Sequence, residues 1–378
     1  GKPQPRLNAR WLCSTHKDVK VKKVVHLIPY DGIGGVERAA ATAEGKELQG
    51  HTLKRMFVYE NVFDRSRREV TFDPRVFWAA AGRLARAKPE LVVLSLWRSV
   101  LVGGLARMRG CRAPYVLFLH NARDAHGIDK YVTRFAAKQV SAIWADSNAT
   151  LVQRLPFRPT VPTRVISYLL DHLAAVREAK PDPDPHFIFW GRLAAQKDPL
   201  RLIKVFALIR EAQPQATLTV IGPDGGMKSV CLEELEKRGL HNAIALLGPI
   251  PREEIATFAA QASFYIQTSQ YEGMALSVME AMQLGLVPVV TPVGEIASYT
   301  KDGENAIWIK LEEDNDEAVV ARVNTLLAAP DQWRMLRERT RRSLSAQILY
   351  ADDFMASALE VLASVEKSAA QCRADTVE

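Results

Sequence analysis

The chain has 378 residues, of which 48% are hydrophobic and 25% charged, and it carries a formal net charge of +7. These ordinary globular values argue against a disordered chain, and the length predicts two domains. The four cysteines are far apart and lack paired metal spacing, which argues against a disulfide framework or zinc site and favours a reducing compartment. No apolar run approaches a membrane span and the N-terminus lacks a signal-peptide core, so we expect a soluble or peripheral protein.

Strand and helix patterns alternate twice along the chain. This alternation predicts two parallel, doubly wound sheets, separated by an acid- and proline-rich linker at residues 180–185. Their strand ends are expected to face a ligand-binding cleft. The predicted strands are Lys23–Ile28, Leu53–Tyr59, Leu91–Leu96, Tyr115–Leu119, Ala142–Ala145, Arg164–Ile166, Phe187–Trp190, Thr217–Ile221, Ile244–Leu247, Phe264–Gln267 and Val287–Val290. The predicted helices include Val36–Leu48, Val100–Arg109, Lys130–Gln139, Leu200–Ala212, Arg252–Gln261 and Tyr350–Lys367.

Charge is distributed unevenly between the two halves. Residues 1–172 hold 29 Lys and Arg against 14 Asp and Glu, a net charge of +15, whereas residues 173–378 hold 21 against 29, a net charge of −8. The basic half predicts an anionic partner. Its basic residues lack interleaved aromatics or a nucleic-acid motif, so an anionic membrane is favoured over nucleic acid, with solubilising surface charge as the alternative. The candidate clusters are Arg65, Arg67 and Arg68, and Arg83, Arg86 and Lys88.

Two carboxylates bracket the start of one predicted helix. The strand and helix patterns place Glu272 on a strand-to-helix loop and Glu280 roughly two turns into the helix Met274–Leu284. Carboxylates accept paired hydrogen bonds from vicinal hydroxyls, and a helix N-terminus attracts phosphate. The pattern indicates a site for an activated sugar. The alternative is a solvated Glu272 and a Glu280 paired with a nearby arginine.

Four short motifs follow one another along the chain. They are Gly34–Arg38, Leu119–Asn121, Phe189–Leu193 with Lys197, and Glu272-x7-Glu280 leading into Gly285–Val290. In that order they resemble the glycine loop, histidine loop, basic phosphate motif and carboxylate signature of the retaining family 4 glycosyltransferases of the GT-B fold. The resemblance is to bacterial enzymes that build surface glycans, and it runs from about Val21 to Asp353.

This resemblance implies an α/β GT-B fold of two Rossmann-like, doubly wound parallel-sheet domains that face a cleft. Residues 1–172 are implied to form an N-terminal acceptor domain, and residues 173–349 a C-terminal nucleotide-sugar donor domain. The C-terminal helix, within residues 350–378, is implied to pack back on the N-terminal domain.

The resemblance also implies which residues hold the donor. Glu280 is expected to bind the ribose hydroxyls, and Glu272 to contact the transferred sugar. The remaining donor-binding residues surround the rest of the donor. Gly34 and Gly35 are expected to let backbone N–H groups approach the phosphate or the transferred sugar, and Gly191 belongs to the phosphate motif. Pro249 and Ile250 are expected to face the base, and the backbone of Gly273, Met274, Ala275 and Leu276 is expected to lie near the sugar.

Arg192 and Lys197 lie beside a predicted helix start, where two cations can clamp a leaving diphosphate without a metal. An Asp-x-Asp metal pair is missing from a matching loop, so no metal and no cofactor are expected. An isolated Gly-Arg turn is the structural alternative for the basic motif, as a tight turn is for Gly34 and Gly35. His120 is either a donor-sugar histidine, as the resemblance implies, or a satisfied core histidine.

Two segments depart from the family pattern and leave the donor open. They are Tyr168–Asp171, where the family often has Asn-Gly-Val-Asp, and Gly294–Ser298, where it often has Gly-Gly-x-x-Glu.

The implied activity is transfer of a hexose or N-acetylhexosamine, with retention, from a UDP- or GDP-sugar to a saccharide or lipid-linked glycan, in polysaccharide or lipopolysaccharide biosynthesis. Glu272, Arg192, Lys197 and His120 are the expected catalytic residues.

We expect a cytoplasmic enzyme that is peripheral on the inner face of the plasma membrane and has no nucleic-acid partner. The alternatives are a GT-B nucleotide-sugar epimerase and a non-catalytic nucleotide-sugar or glycan-binding protein.

Overall fold

A computed structural model describes residues 22–32, 34–60, 73–120, 123–173, 181–311 and 315–374. The described residues form one sheet of seven strands and one of six, with helices packed on them. Two predominantly parallel sheets confirm the predicted α/β fold class. Within these ranges, no helix combines the length and apolarity needed to cross a membrane.

The first sheet consists of β1 (Lys22–Ile28), β2 (Glu47–Leu48), β3 (His51–Phe57), β4 (Leu91–Ser95), β5 (Tyr115–Leu119), β6 (Ala142–Ala145) and β7 (Thr163–Val165). Its spatial order is β2-β3-β1-β4-β5-β6-β7. Only the edge pair β2–β3 of this sheet is antiparallel among the described pairings. The central strands β4, β5 and β6 are buried throughout, because helices cover both faces of the sheet.

The helices of this part are α1 (Gly35–Ala43), α2 (Pro74–Ala87), α3 (Leu96–Met108), α4 (Gly127–Ala136) and α5 (Asn148–Arg154). Two of them begin with ordinary capping chemistry. The Asp73 carboxylate accepts from the Arg75 N–H just ahead of Pro74, and the Ser147 hydroxyl accepts from the Thr150 N–H.

The second sheet consists of β8 (His186–Trp190), β9 (Thr217–Ile221), β10 (Ile244–Gly248), β11 (Phe264–Gln267), β12 (Val287–Val290) and β13 (Ile307–Trp308). Its order is β10-β9-β8-β11-β12-β13, and every pairing described for it is parallel. A 3-10 turn (Ala195–Lys197) precedes α6 (Pro199–Ala212), α7 (Lys228–Arg238), α8 (Arg252–Ala259), α9 (Leu276–Leu284), α10 (Ile296–Tyr299), α11 (Asp316–Ala328) and α12 (Pro330–Arg342).

The last helix, α13 (Tyr350–Ala374), returns to the first sheet. Its side chains Tyr350 and Phe354 are fully buried in a cluster that includes Trp144 of β6. Burying each such side chain contributes on the order of 1.5–3 kcal/mol. The Tyr350 N–H donates to the Leu169 carbonyl at 2.7 Å. This hydrogen bond joins the start of α13 to the segment that follows β7.

Several predicted helix bounds were wrong. Helix α3 begins at Leu96 instead of Val100, and α4 spans Gly127–Ala136 instead of Lys130–Gln139. Helix α1 ends at Ala43 instead of Leu48, because Gly45 takes φ +75° and turns the chain into the short edge strand β2. Helix α9 begins at Leu276, after Ala275 takes φ +52°, so Glu280 lies about one turn inside it.

Candidate functional site

A cleft of about 460 Å³ lies where the ends of strands from both sheets meet. It is lined by twelve of the fourteen residues that the motifs single out, together with residues that they do not. The twelve are Gly34, Gly35, His120, Gly191, Arg192, Lys197, Glu272, Gly273, Met274, Ala275, Leu276 and Glu280. The topology therefore joins motifs that lie far apart in sequence.

Two helix N-termini meet at this cleft. Gly34 is the N-cap of α1, and Ala275 is the N-cap of α9. A Cβ added to Gly35 would lie 3.6 Å from Leu276 Cδ1, so the two helix starts touch across the cleft. First-turn N–H groups have no partner within their own helix. Both helices therefore turn positive dipole ends toward the same space.

Glu280 is buried on α9 and surrounded by cationic and neutral donors. The Trp190 indole N–H donates to Glu280 Oε2 at 3.1 Å, and Arg252 Nη2 donates to Oε1 at 3.2 Å. Arg38 of α1 forms an ion pair with the same Oε1. The arginine pairing expected as the structural alternative is thus present, and it spans the cleft. A ribose would have to share or displace these donors.

Glu272 lies on the loop before α9 and is 6% exposed. Its Oε1 accepts from Lys197 Nζ at 2.6 Å and from Gln267 Nε2 at 3.2 Å. Glu272 is therefore not the solvated side chain of the alternative interpretation. Lys197 neutralises this carboxylate directly.

Gln267 is a site residue that the sequence reasoning missed. It ends β11, is fully buried, and its Oε1 accepts from Tyr265 Oη at 2.8 Å and Ser277 Oγ at 3.1 Å. Two hydroxyls fix the amide so that its N–H points at Glu272. A glutamine at the end of an apolar strand was the one signal available in the sequence.

The basic motif forms a tight loop. Gly191 has φ +156°, and a Cβ on Gly222 would lie 1.9 Å from the Gly191 carbonyl oxygen. This close approach requires glycine at position 222 and aims the loop into the cleft. Arg192 follows it, exposed and without an ion pair to any residue in the described ranges. Of the two predicted clamp cations, Arg192 is the one available for an anion.

His120 follows β5 and lines the cleft, yet it is 3% exposed. Its Nε2 lies 2.8 Å from Ser95 Oγ, and its Nδ1 lies 2.8 Å from the Tyr168 hydroxyl. His26 Nε2 lies 2.7 Å from the same Ser95 oxygen. Burial lowers the pKa of His120 well below its ordinary value, so the ring is neutral. His120 is a satisfied histidine at the cleft wall, and a sugar hydroxyl would have to replace one of its partners.

The loop that carries Glu272 is held against the first sheet. A Cβ on Gly273 would lie 2.8 Å from Asp146 Oδ2, and one on Gly294 would lie 2.2 Å from the Glu272 carbonyl oxygen. Both glycines let backbone segments approach more closely than any side chain allows. At the start of α5, the Asn148 N–H donates to Glu295 Oε2 at 2.9 Å. The cleft walls are thus joined by close packing and by a carboxylate at a helix N-terminus.

Pro249 and Ile250 do not line the cleft. They follow β10, and Arg252 just beyond them lines a neighbouring cavity of about 440 Å³. Glu280 lines both cavities, so they meet at this carboxylate. A base-binding role for Pro249 and Ile250 stays a prediction. Asn121 of the histidine loop lies outside the described residues.

Solved glycosyltransferase structures match the fold over most of both chains. HepE of Anabaena, solved with UDP and glucose, gives a TM-score of 0.68 at 15% identity, covering 92% of this chain and 99% of that one. A glycosyltransferase of Rickettsia africae gives a TM-score of 0.70 at 15% identity, with the same two coverages of 92% and 99%. The chain has the GT-B fold.

Family and sequence comparisons agree with the GT-B assignment. Residues 174–343 match the family described as glycosyl transferases group 1. A GDP-mannose:cellobiosyl-diphosphopolyprenol alpha-mannosyltransferase of Xanthomonas oryzae pv. oryzae is 24% identical over 177 residues, 46% of this chain and 43% of the relative. A D-inositol 3-phosphate glycosyltransferase of Corynebacterium urealyticum is 29% identical over 150 residues, 38% of this chain and 35% of the relative. The matches thus span less than half of these relatives' length.

Proposed function

We propose that this protein is a retaining glycosyltransferase that transfers a hexose or N-acetylhexosamine from a UDP- or GDP-sugar to a saccharide or lipid-linked glycan. The observation that carries the proposal is the convergence of Arg192, Lys197, Glu272 and Glu280 with two helix N-termini in one cleft. Cations and helix dipoles suit a diphosphate, while carboxylates suit hydroxyls. One matched relative is named as an alpha-mannosyltransferase and another as a D-inositol 3-phosphate glycosyltransferase. These names support the same class of reaction, glycosyl transfer.

The donor is proposed to lie along the second sheet with its diphosphate between α1 and α9. Glu280 would hold the ribose hydroxyls, with the base toward the cavity lined by Arg252 and Leu173. Glu272 would accept hydrogen bonds from the transferred sugar, with backbone N–H groups of Met274–Leu276 nearby. His120, neutral and buried, would contact the sugar as a hydrogen-bond partner, since a neutral ring is a poor acid at physiological pH.

Charge on the diphosphate grows as the bond between the sugar and the phosphate breaks, and Arg192 is proposed to stabilise that charge, assisted by Lys197 from its ion pair with Glu272. The acceptor oxygen would bond to the anomeric carbon on the face from which the phosphate departs, and that phosphate would take up the acceptor's proton. Attack on this face retains the anomeric configuration. Positioning and charge stabilisation suffice for such a step. We propose that no metal ion is needed, because Arg192 and the two helix N-termini supply positive potential at the diphosphate.

The proposed location is cytoplasmic, on the inner face of the plasma membrane. It rests on the net charge of +15 over residues 1–172, which predicts an anionic partner. Of the named clusters, Arg65, Arg67 and Arg68 lie outside the described residues. Arg83 forms an ion pair with Glu60 at 3.0 Å and donates to the Phe57 carbonyl. Arg86 and Lys88 are exposed to solvent.

A thermal-shift panel of UDP-, GDP-, ADP- and CMP-sugars would first identify the donor by its stabilisation of the folded state. Transfer to a short saccharide, with and without excess EDTA, would then test catalysis and metal independence, and NMR of the product would give the anomeric configuration. Released free sugar without transfer would indicate an epimerase. Donor binding with no donor consumption would indicate a binding protein, and loss of transfer in EDTA restored by Mg²⁺ would refute metal independence.

A further inference from the structure

Helix α4 (Gly127–Ala136) has its apolar residues on the outside. Ile128, Tyr131 and Phe135 are 58%, 74% and 68% exposed. They are spaced three and four residues apart, so they form one continuous stripe on the helix surface. A surface helix of a globular protein normally turns such a stripe toward the core. Nothing in the described residues covers this one.

The inner side of α4 combines Val132 and Ala136, which pack in the core, with a buried polar network around Asp129. Asp129 is 4% exposed, and its Oδ1 accepts from Arg154 Nη2 at 2.9 Å and from Thr133 Oγ1 at 3.1 Å. Its Oδ2 accepts from the Ala125 N–H at 2.9 Å. Rolling the apolar stripe inward would break this buried network, which is costly because it would separate the buried charges of Asp129 and Arg154. The contacts of Asp129 on the inner side of α4 therefore keep the apolar stripe on the outside.

Basic residues run along one side of the stripe. At about 100° per residue, Lys130 and Arg134 fall on the helix face beside Tyr131, and Lys138 follows two residues after the end of α4. Arg134 also forms an ion pair with Asp124 at 3.7 Å. Lys138 is exposed, and Lys130 and Arg134 are half-buried. Asp129, the acidic residue of α4, is buried on the opposite side. The exposed surface of α4 is thus apolar and cationic together.

The stripe lies near the cleft on the first-sheet side. Only the loop after His120 separates α4 from β5, and Arg123 in that loop lies 4.2 Å over the Tyr271 ring, next to Glu272. The N-terminal end of α4 therefore begins a few residues from Arg123, a side chain that contacts the loop carrying Glu272.

We propose that α4 docks the enzyme on an anionic lipid bilayer. Ile128, Tyr131 and Phe135 insert at the level of the headgroups, while Lys130 and Lys138 contact anionic lipid. Aromatic and aliphatic side chains beside lysines suit such an interface, because lysine stems can extend to the headgroups. A second copy of the chain fits less well, since a two-fold contact between stripes would bring their cationic flanks together. The inference assumes the proposed membrane location, not sugar transfer.

Vesicle sedimentation tests this surface. The full chain is mixed with vesicles of phosphatidylcholine alone or with phosphatidylglycerol. We expect binding to the anionic vesicles, and a loss of about tenfold or more when Ile128→Ser, Tyr131→Ser and Phe135→Ser are combined. A matched control carries Met108→Ser and Met335→Ser, which replace apolar side chains that are 77% and 56% exposed elsewhere. The control should bind as the unmodified chain does.

A second variant, Lys130→Gln with Lys138→Gln, should weaken binding to anionic vesicles and reduce its salt dependence. Both variants should keep the thermal midpoint of the unmodified chain, since the altered side chains are wholly or partly in solvent. Unchanged vesicle binding by the triple serine variant would overturn the proposal. So would a concentration-dependent dimer that the triple variant abolishes. The assay contains no nucleotide sugar, and transfer to a water-soluble acceptor should survive in both variants, so failure of the proposed enzymatic function is measured separately.

Discussion

Lys197 Nζ lies 2.6 Å from Glu272 Oε1 inside the GT-B cleft. The cation proposed to stabilise the leaving diphosphate and the carboxylate proposed to hold the sugar therefore fix each other's position. Their side chains are 15% and 7% exposed, so water screens this pair weakly. The proposed sugar and diphosphate sites are therefore coupled through one ion pair.

Removing either member of this pair should destabilise the fold. Breaking a buried pair costs about 3–5 kcal/mol in general, and somewhat less where one side chain reaches water. We expect Lys197→Met and Glu272→Gln each to lower the free energy of unfolding measured in urea, and the double variant to lose less than the sum. Lys301→Met is the control, because Lys301 is 71% exposed in its pair with Glu304. Strictly additive losses would show that the two residues are not coupled.

Glu280→Gln should weaken binding of the free nucleoside diphosphate. The substitution places an amide N–H where the carboxylate accepts from Trp190 and Arg252, and it removes the charge-assisted hydrogen bonds proposed for the ribose. Such a bond contributes about 1.5–3 kcal/mol, or roughly a ten- to hundredfold change in Kd by calorimetry. Glu253→Gln is the matched control, since Glu253 lines the neighbouring cavity from an exposed position. An unaltered Kd in Glu280→Gln contradicts the ribose assignment.

Gln267→Leu should lower kcat far more than it weakens nucleotide binding. Gln267 touches Glu272 but lies behind it, so its loss frees the carboxylate to leave its position for the sugar. Displacing a carboxylate that positions the substrate lowers turnover by about tenfold or more. Stability should also fall by about 1–3 kcal/mol, because the Tyr265 and Ser277 hydroxyls lose an acceptor.

Gln270→Leu provides the comparison for Gln267. It makes the same substitution three residues along the chain, at an exposed glutamine that donates to Asp198. We expect kcat and nucleotide Kd to stay unchanged there. Equal losses of kcat and nucleotide affinity in Gln267→Leu would indicate general damage to the cleft instead of misplacement of Glu272.

Strands with continuous apolar runs were predictable from sequence. Tyr115–Leu119, Ala142–Ala145 and Val287–Val290 were placed to the residue, because a short apolar run bounded by turn residues indicates burial directly. The two-residue strands Glu47–Leu48 and Ile307–Trp308 were missed. They exist through pairing with a neighbour, which leaves no local pattern in so short a segment.

The motifs placed Arg192, Lys197, Glu272 and Glu280 in one cleft, but not their partners. Lys197 and Glu272 are 75 residues apart, and Arg38 and Glu280 are 242 apart. Such contacts depend on how the two sheets pack, which no local spacing encodes.

Helix α4 shows how a local pattern can indicate the wrong face. An apolar stripe with helical spacing normally predicts a buried face, whereas here the buried Asp129–Arg154 pair occupies the inner side and the stripe faces solvent.

Two buried histidines should make stability depend on pH. His26 and His120 share Ser95 and are 0% and 3% exposed. Burial, reinforced by the nearby Arg55, lowers the pKa of His26 from 6.5 to about 3. Burial also lowers the pKa of His120 well below 6.5. Both rings are therefore neutral in the folded chain across the mildly acidic range, while the unfolded chain takes up a proton on each.

Because the unfolded state binds more protons below pH 6.5, the free energy of unfolding should fall as the pH is lowered from there toward about 3, the pKa of folded His26. Each histidine contributes up to about 1.4 kcal/mol per pH unit, or about 2 kcal/mol each at about pH 5. Urea unfolding at neutral and mildly acidic pH measures this slope. His26→Leu should reduce the slope of the free energy of unfolding against pH by the contribution of about one bound proton, because leucine does not titrate. A slope in His26→Leu equal to that of the unmodified chain would mean that His26 takes up its proton in the folded state as well.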